Sequence, residues 1–273
     1  EWRVFDLSVW LTGRAALLAA AFATWLLSVA KRNVSIVDVL WSLMFLLAAL
    51  VYVLVSGRPE SPSPELAAGA GPAGRRTLVL VLVAVWALRL ATYIAARNWG
   101  HPEDYRYQAI RRRNDPGFTF KSLYLVFFLQ AGLAWLISLP LLGAILGTAP
   151  LGWLDAAGVL LWLLGFVFEA GGDWQLARFK RDPANRGKVM DRGFWRYTRH
   201  PNYFGDFSVW WGFFLIGLSA GAWWALPGPL LMSLLLLRVS GVALLEKSIG
   251  KRRQGYEDYV RRTNAFFPGP PKT

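Results

Sequence analysis

Long apolar runs dominate this chain. Seven of them are each close to the roughly 20 residues that a helix needs to cross a bilayer, and they cover residues 7–30, 36–56, 77–96, 122–146, 151–172, 204–224 and 226–245. A helix on the surface of a soluble protein carries a polar face along its length, and these runs lack one. We therefore predict an all-α integral membrane protein with seven transmembrane helices. The first run is too long for the core of a signal peptide, so we expect it to be the first span.

The basic residues indicate which ends of the spans face the cytoplasm. Of the 30 Lys and Arg residues, 23 lie in alternate connections between the runs. Cytoplasmic loops carry such an excess, so we expect the N-terminus outside the cell and the C-terminus in the cytoplasm. The net charge of +13 is therefore mainly a topology signal, with a phosphate-bearing ligand as the alternative for part of it. Nucleic acid is not an expected partner.

Composition narrows the chemistry further. The chain is 55% hydrophobic and has no cysteine, which excludes disulfides, thiolate nucleophiles and cysteine metal sites. Its two histidines, His101 and His200, are too few for a histidine-rich metal centre, and we expect no bound metal. No repeat or separable soluble domain is visible, so we predict a single membrane domain over residues 1–273.

The connections differ in character. Residues 56–76 are rich in Pro, Gly and Ala and are expected to form a flexible loop. The segment RNWGHPEDYRYQAIRRRNDPGFTF, residues 97–120, mixes aromatics, acids and five arginines. It predicts either a short surface helix that faces lipid headgroups or a ligand-binding segment. Pro140 and Gly143 are expected to kink the fourth span.

Charged residues inside the spans form a layer. Charge in a bilayer is costly, so such residues usually face a cavity or one another. Carboxylates also reach the interface less easily than Lys or Arg, because their stems are short. Five carboxylates at one depth therefore predict a shared polar pocket, although each alone could be a harmless charge at a helix end. The layer consists of Asp38, Arg89, Glu169, Asp173, Asp206 and Glu246.

Two carboxylates near the end of the fifth span are followed along the chain by a run of cations. Glu169 and Asp173 lie one turn apart on one helical face, and a run of Arg and Lys extends from Arg178 to Arg199. Carboxylates bind ribose hydroxyls or an amide, and guanidinium groups bind phosphates. The order favours a nucleotide, with lipid headgroups as the alternative contact of the cations. The chain has no GxGxxG or GxxxxGK(S/T) motif, which excludes a soluble nucleotide-binding fold.

The stretch RHPNYFGD, residues 199–206, turns the chain before the sixth span. Pro201 fixes its own backbone angle and keeps His200 out of the helical region. Asn202 then either caps the next helix or converges with Tyr203 and Asp206 on a ligand.

These residues resemble a known family. RHPNYFGD, preceded by DRGFWRYT and followed by LLLLRVSGVALLEKSIGKRRQGYEDYVRRTNAFFP, is similar to the C-terminal signature of the membrane steroid 5α-reductase superfamily. That group includes bacterial domain-of-unknown-function relatives and, more distantly, the sterol C14 reductases. The resemblance is strong over residues 151–268 and looser before them, where it rests on NVSIVDVLW and LRLATYIAARNWG. It implies a seven-span enzyme that uses NADPH to reduce a C=C bond conjugated to a ketone, as in 3-oxo-Δ4 steroids.

The resemblance also implies a location and a division of labour. We expect a multi-pass protein of the bacterial inner membrane, with the cofactor site facing the cytoplasm. Residues 1–146 would surround a lipophilic substrate, a steroid or related enone, and residues 147–273 would bind NADPH. Membrane lipids are the other expected partners, and the protein is expected to be a monomer.

Individual cofactor residues follow from the matched motifs. Asn202, Tyr203 and Asp206 match the family's Asn-Tyr-Phe-Gly-Glu element, and Asp173 matches its fifth-helix aspartate. Glu169 stands where the steroid enzymes have asparagine. The full set predicted to bind NADPH is Glu169, Asp173, Arg178, Lys180, Arg192, Arg199, His200, Asn202, Tyr203, Asp206, Glu246 and Tyr256.

The catalytic acid departs from the family pattern. Hydride addition to an enone leaves an enolate, which needs a hydrogen-bond donor at its oxygen. The steroid enzymes have a glutamate in the second helix and a tyrosine in the third, whereas this chain has Asp38 and Tyr93. A carboxyl group in an apolar cavity can hold and donate a proton. We predict Asp38 as the acid, Tyr93 as second donor, and Trp41 and Arg89 as substrate-binding residues. An Asp38 that only caps the second helix is the alternative.

Two other function classes remain open. Isoprenylcysteine carboxyl methyltransferases, which use S-adenosylmethionine, also carry an RHPxYxG turn and a glutamate in the last helix. Asp206 after the glycine, and Lys247 after Glu246 where those enzymes usually have a second glutamate, favour the reductase. A transporter would show polar residues at the bilayer midplane and an inverted repeat, and neither is visible.

Overall fold

Every regular element of the described chain is helical. The structure, a computed structural model, describes residues 5–57, 72–239 and 255–272. The predicted all-α class is confirmed for these residues. The α-helices are α1 (Leu7–Lys31), α2 (Ile36–Val55), α3 (Pro72–Asn98), α4 (Tyr105–Asn114), α5 (Phe118–Ser122), α6 (Leu129–Ile137), α7 (Leu139–Leu146), α8 (Trp153–Arg181), α9 (Pro201–Ser219), α10 (Pro227–Leu234) and α11 (Tyr256–Arg262).

Five helices in the described part are long and apolar enough to cross a membrane, which indicates a membrane protein. They are Leu7–Lys31, Ile36–Val55, Gly74–Asn98, Phe118–Ile137 and Trp153–Arg181. The sixth predicted span corresponds to α9. The seventh corresponds to the shorter apolar helix Trp223–Val239 and otherwise falls on residues outside the described ranges. The loop predicted at residues 56–76 also falls largely outside them.

The fourth predicted span is interrupted. A π-helix, Leu123–Phe128, joins α5 to α6, and the helix then breaks at Ser138 before α7 begins. Pro140 lies in the first turn of α7, where its missing N–H leaves no helical bond unmade. Ser138 satisfies its hydroxyl at the break by bonding the Tyr52 hydroxyl at 2.7 Å and the Trp135 carbonyl oxygen at 2.8 Å. The helix is therefore interrupted two residues before the proline.

The chain forms two compact units. The first comprises Glu1–Gly152 with Gly217–Ala225, and the second comprises Trp153–Ile216 with Leu226–Thr273. The core of the first unit is apolar, with Leu17, Phe45, Trp86 and Phe127 completely buried. The four predicted functional residues of the N-terminal half belong to this unit, and the predicted cofactor residues belong to the second.

Glycines bring α8 and α9 into backbone contact within the second unit. They recur every seven residues, which is close to two helical turns, at positions 158, 165 and 172 of α8 and 205 and 212 of α9. A Cβ atom built on Gly165 would lie 2.5 Å from the Gly205 carbonyl oxygen, and one on Gly158 would lie 2.7 Å from that of Gly212. The pairing is antiparallel. It brings the C-terminal part of α8, with Glu169 and Asp173, against the start of α9.

Candidate functional site

A carboxylate and an amide meet where α8 passes the start of α9. The Asn202 Nδ2 group donates a hydrogen bond to Asp173 Oδ1 at 3.2 Å. The Asn202 Oδ1 atom accepts from the Tyr203 backbone N–H at 3.1 Å, so the side chain also serves the first turn of α9. Asp173 is only 5% exposed. Two side chains that the sequence assigned to one pocket are therefore in direct contact.

Glu169 adds a second buried acceptor one turn earlier on α8. It is 3% exposed, and its backbone lies against Gly205, where an added Cβ atom would clash with the Glu169 N–H group. Asp206 follows Gly205 directly and is half-buried. The second unit thus concentrates carboxylates around the crossing of α8 and α9. Burying an ionised carboxylate costs free energy, so these carboxylates are expected to have hydrogen-bond or ion-pair partners.

A short 3-10 turn, Gly193–Arg196, is fixed to the same part of α8. The Phe194 N–H donates to Gln175 Oε1 at 3.0 Å, and the Trp195 indole N–H donates to the Gly172 carbonyl oxygen at 3.1 Å. Gly193 has φ +59 and lies so close to Gln175 that an added Cβ atom would be 2.6 Å from its side chain. The left-handed backbone conformation favours glycine there, and a larger residue would also have to displace the Gln175 side chain that bonds Phe194. The turn is therefore bonded to Gly172, the residue directly before Asp173.

The same turn lines a cavity of about 400 Å³. Three arginines and one carboxylate contribute the charges of its wall. The Arg262 Nη2 atom lies 3.6 Å from Asp191 Oδ2, at the long end of an ion-pair distance. The sequence analysis included Arg196 only as a member of the cation run Arg178–Arg199, and it did not include Arg262, which comes near only because the C-terminal segment folds back. The lining residues are Asp191, Arg192, Gly193, Arg196, Tyr259, Arg262, Thr263 and Pro271.

Arg199 holds the C-terminal segment in place. Its guanidinium donates to the Thr263 carbonyl oxygen at 2.8 Å and to that of Val260 at 3.2 Å, at the C-terminal end of α11. Its own backbone N–H donates to the Asn264 carbonyl oxygen at 2.9 Å, and the side chain is buried. The neighbouring Thr198 hydroxyl donates to the Phe266 carbonyl oxygen at 2.7 Å. Arg199, which the sequence predicts to bind the cofactor, therefore attaches the C-terminal segment to the rest of the second unit.

The remaining predicted cofactor residues differ in burial. His200 is buried with its ring parallel to that of Tyr203, 5.7 Å away. Arg178 and Lys180 are exposed near the end of α8, and the Arg178 guanidinium lies 5.5 Å from the Trp174 ring centroid. Tyr256 is buried on α11. Glu246 lies outside the described residues.

Asp38 is bonded to α4 in the first unit. The Tyr107 hydroxyl donates to Asp38 Oδ1 at 2.5 Å, and Arg106 Nη2 donates to Asp38 Oδ2 at 2.8 Å. The N-cap of α2 is Ser35 and not Asp38. The hydrogen bonds described for the Asp38 side chain are both with residues of α4. Tyr107 is buried and also accepts from Gln130 Nε2 at 3.3 Å. This phenol was missed in the sequence, because it follows the third span by several residues.

The other predicted residues of this half lie on α2 and α3. Tyr93 is half-buried, with the Arg97 guanidinium 5.9 Å from its ring centroid. Trp41 is half-buried and packs edge-to-face on Phe45 at 5.2 Å. Arg89 is half-buried on α3.

Comparison with known proteins identifies the family. The family described as "Protein of unknown function (DUF1295)" matches residues 24–263 of this chain. The chain belongs to this family. It is also 27% identical over 281 residues to "Uncharacterized protein C594.04c" of Schizosaccharomyces pombe, a match covering 89% of this chain and 75% of that protein. Neither description names a reaction, so the activity of this DUF1295 protein has to be argued from its residues.

In this DUF1295 protein, the segment of residues 97–120 contains the short helix α4. A short helix was one of the two alternatives predicted for this segment. Acidic residues before the helix fix it to the start of α2. Glu103 accepts from the Val34 N–H at 2.9 Å and from two nitrogens of Arg111 at 2.8 and 3.0 Å. Burial alone raises the pKa of Glu103, but the Arg111 hydrogen bond, the Val34 hydrogen bond and the Arg111 charge together lower the pKa below its usual value. Arg112 and Arg113 stay exposed.

We expect low pH to weaken the attachment of α4 to the start of α2, because Glu103 becomes protonated. A carboxyl group whose pKa is lowered by folding contributes stability above its unfolded pKa, about 4.3 for Glu, and loses it as pH falls through the lower folded pKa. Thermal unfolding of the detergent-solubilised protein should therefore show a drop in Tm below about pH 4. Glu103→Gln should lower Tm at neutral pH and flatten this acid limb. The exposed Glu257→Gln is the matched control, and equal acid limbs in both variants would contradict the assignment.

Proposed function

We propose that this protein is an NADPH-dependent membrane reductase. It would reduce the C=C bond of an α,β-unsaturated ketone in a lipophilic substrate, as a 3-oxo-Δ4 steroid 5α-reductase does. One observation carries the proposal. Within the second unit, the turn Gly193–Arg196 is bonded to Gly172, next to the Asp173–Asn202 contact, and also contributes to the wall of an arginine-lined cavity.

This arrangement suits the two kinds of polar group in a dinucleotide. Buried carboxylates and an amide can bind ribose hydroxyls or the nicotinamide amide, and arginines bind phosphate oxygens through paired N–H groups. S-adenosylmethionine carries a cationic sulfonium and no phosphate. Three arginines around one cavity therefore favour the phosphorylated cofactor over the methyltransferase alternative.

The proposed reaction needs a proton as well as a hydride. Bound NADPH would provide the hydride for the β-carbon, so the protein's own residues would have to stabilise the negative charge left on the ketone oxygen and supply the proton that the α-carbon takes up. Asp38 is the proposed acid and Tyr93 the proposed second donor at the oxygen. Both Asp38 oxygens accept hydrogen bonds in the fold, from Tyr107 and Arg106, so Asp38 would have to take up a proton and release one of these partners to act as the acid. Tyr107 enters as a positioning residue for Asp38, because its hydroxyl donates to that carboxylate.

The proposal includes the topology predicted from the sequence. With α9 and the helix Trp223–Val239 added to the five candidate spans, seven helices would cross a bacterial inner membrane. The alternation of basic connections would leave the N-terminus outside and the C-terminus inside. The cofactor would then enter from the cytoplasm, while the substrate would arrive through the lipid. A single chain would contain the whole proposed site, so the protein would act as a monomer.

The test is NADPH oxidation by the detergent-purified protein with progesterone as the enone. We expect wild-type turnover and a loss of about 100-fold or more in Asp38→Asn and in Asn202→Ala, since each removes a positioned polar group. Asp258→Asn, an exposed carboxylate on α11, is the control and should retain activity. Turnover that survives Asp38→Asn would move the acid to another residue, with Tyr93→Phe the next variant. Tight S-adenosylmethionine binding without NADPH binding would overturn the reductase.

A further inference from the structure

We infer that the arginine-lined cavity binds a phosphate monoester, and that in the proposed reductase this group is the ribose 2′-phosphate that distinguishes NADPH from NADH. The inference rests on the proposed function and assigns it a specificity site. It adds Arg196 and Arg262 to the residues expected to contact the cofactor.

Charge favours a monoester. The cavity wall holds three guanidinium groups and one carboxylate, which leaves two positive charges. A phosphate monoester carries a charge of about −1.5 to −2 at neutral pH and offers three acceptor oxygens. Each phosphate of a pyrophosphate bridge carries one charge and two such oxygens. If one phosphate group occupies the cavity, a monoester therefore matches the wall better in charge and in the number of acceptor oxygens than one phosphate of the bridge does.

The fold holds the backbone segments that carry the cations. Arg192 precedes the turn Gly193–Arg196, Arg196 is its last residue, and Arg262 is the last residue of α11. These two segments are joined by the Tyr259 hydroxyl, which donates to the Trp195 carbonyl oxygen at 2.6 Å. The backbone of the site is thus in place before any ligand binds, so only the exposed arginine side chains have to become ordered on binding.

The Arg262 side chain is free to change partners. It is 58% exposed, and its carboxylate partner Asp191 is 3.6 Å away. Its Nε group contacts the Asp258 carbonyl oxygen only at 3.4 Å. Such long contacts are weak, so a phosphate can replace them with short, charge-assisted bonds.

The position of the cavity fits one end of an extended ligand. The turn that carries Arg192 and Arg196 is bonded through Trp195 to Gly172, next to Asp173. A cofactor with its monoester in the cavity would therefore reach the buried acceptors with its other polar groups. An anionic lipid headgroup, such as phosphatidic acid, is the other source of the same chemistry, and the experiment separates the two.

The experiment measures the dissociation constants of NADPH and NADH for the full chain in detergent. We expect wild type to bind NADPH at least about 10-fold more tightly than NADH, the value of one charge-assisted contact. Arg262→Gln and Arg196→Gln should each remove most of this preference and leave NADH binding unchanged. Arg261→Gln is the matched control, because Arg261 is the adjacent residue, 73% exposed and paired with Asp258.

The outcomes separate this inference from the proposed function. Retained NADH binding shows that a variant is folded. Equal affinity for NADPH and NADH in wild type would overturn the inference and leave the reductase standing, whereas binding of neither would overturn the reductase. Unchanged NADPH preference in Arg262→Gln, together with lost binding to phosphatidic acid vesicles, would assign the cavity to a lipid headgroup and overturn the cofactor assignment.

Discussion

Gly165→Ala is expected to disrupt the second unit and abolish cofactor binding. The added Cβ atom would lie 2.5 Å from the Gly205 carbonyl oxygen and 2.7 Å from the Val209 backbone nitrogen. Both are backbone atoms of α9, so a side-chain rotation cannot relieve the clash and the helices must move apart. We expect a cost of about 3 kcal/mol, the upper range for overpacking. The Asp173–Asn202 contact depends on the same packing and should be lost with it.

Gly132→Ala provides the matched control. Gly132 lies within α6, and a Cβ atom added there would meet nothing within 4 Å. Alanine is the better helix former by about 0.5–1 kcal/mol, so this variant should be as stable as wild type or more so. Thermal unfolding and NADPH binding in detergent test both variants. Similar stability in the two would mean that α8 and α9 can separate without loss, and that glycine packing does not form the site.

Helix positions were predictable where the signal is local. The apolar runs at residues 7–30 and 36–56 correspond to α1 and α2 within a few residues, because length and hydropathy alone determine a spanning helix. The helix α4 was also foreseeable, since its arginine and tyrosine spacing is a local pattern. The break at Ser138 was harder to place. Pro140 predicts a kink but is compatible with the first turn of a new helix, and that is where it lies.

Contacts between distant segments were less accessible. Arg199 and Thr263 are 64 residues apart, and nothing in the local spacing around Arg199 distinguishes a cation for a phosphate from a cation for a helix end. The same holds for Asp38, whose partners Arg106 and Tyr107 belong to a segment that follows the next span. The sequence pattern located the polar residues in a layer. Their pairing needed the path of the chain.

The α8 and α9 crossing is an intermediate case. Its signal is present in the sequence as glycines every seven residues on both helices, a spacing that lets membrane helices approach closely. The pattern marks one face of each helix for close packing, but the pairing of the two faces is given by the structure. The sequence prediction reached the same pair through charge and resemblance. The close glycine packing explains physically why the two groups are in contact.

Arg199→Met is expected to release the C-terminal segment. The variant keeps the apolar stem but leaves the Val260 and Thr263 carbonyl oxygens without the guanidinium donors they have in the fold. Buried acceptors without a donor cost about 1–3 kcal/mol each, so we expect a loss of about 3 kcal/mol in the free energy of unfolding. Arg199→Lys should rescue this only partly, because a single ammonium cannot reproduce the planar fork of a guanidinium.

Hydrogen exchange separates a structural role of Arg199 from a role in cofactor binding. Residues 255–272 should exchange faster in Arg199→Met than in wild type, with or without NADPH. Arg186→Met, an exposed member of the same cation run, is the control and should leave exchange and Tm unchanged. Because Arg262 lines the cavity from this segment, the NADPH affinity of Arg199→Met should fall as a consequence of the release. A variant with normal exchange and normal Tm but weakened NADPH binding would show instead that the guanidinium serves the cofactor directly, as the sequence motif alone predicts.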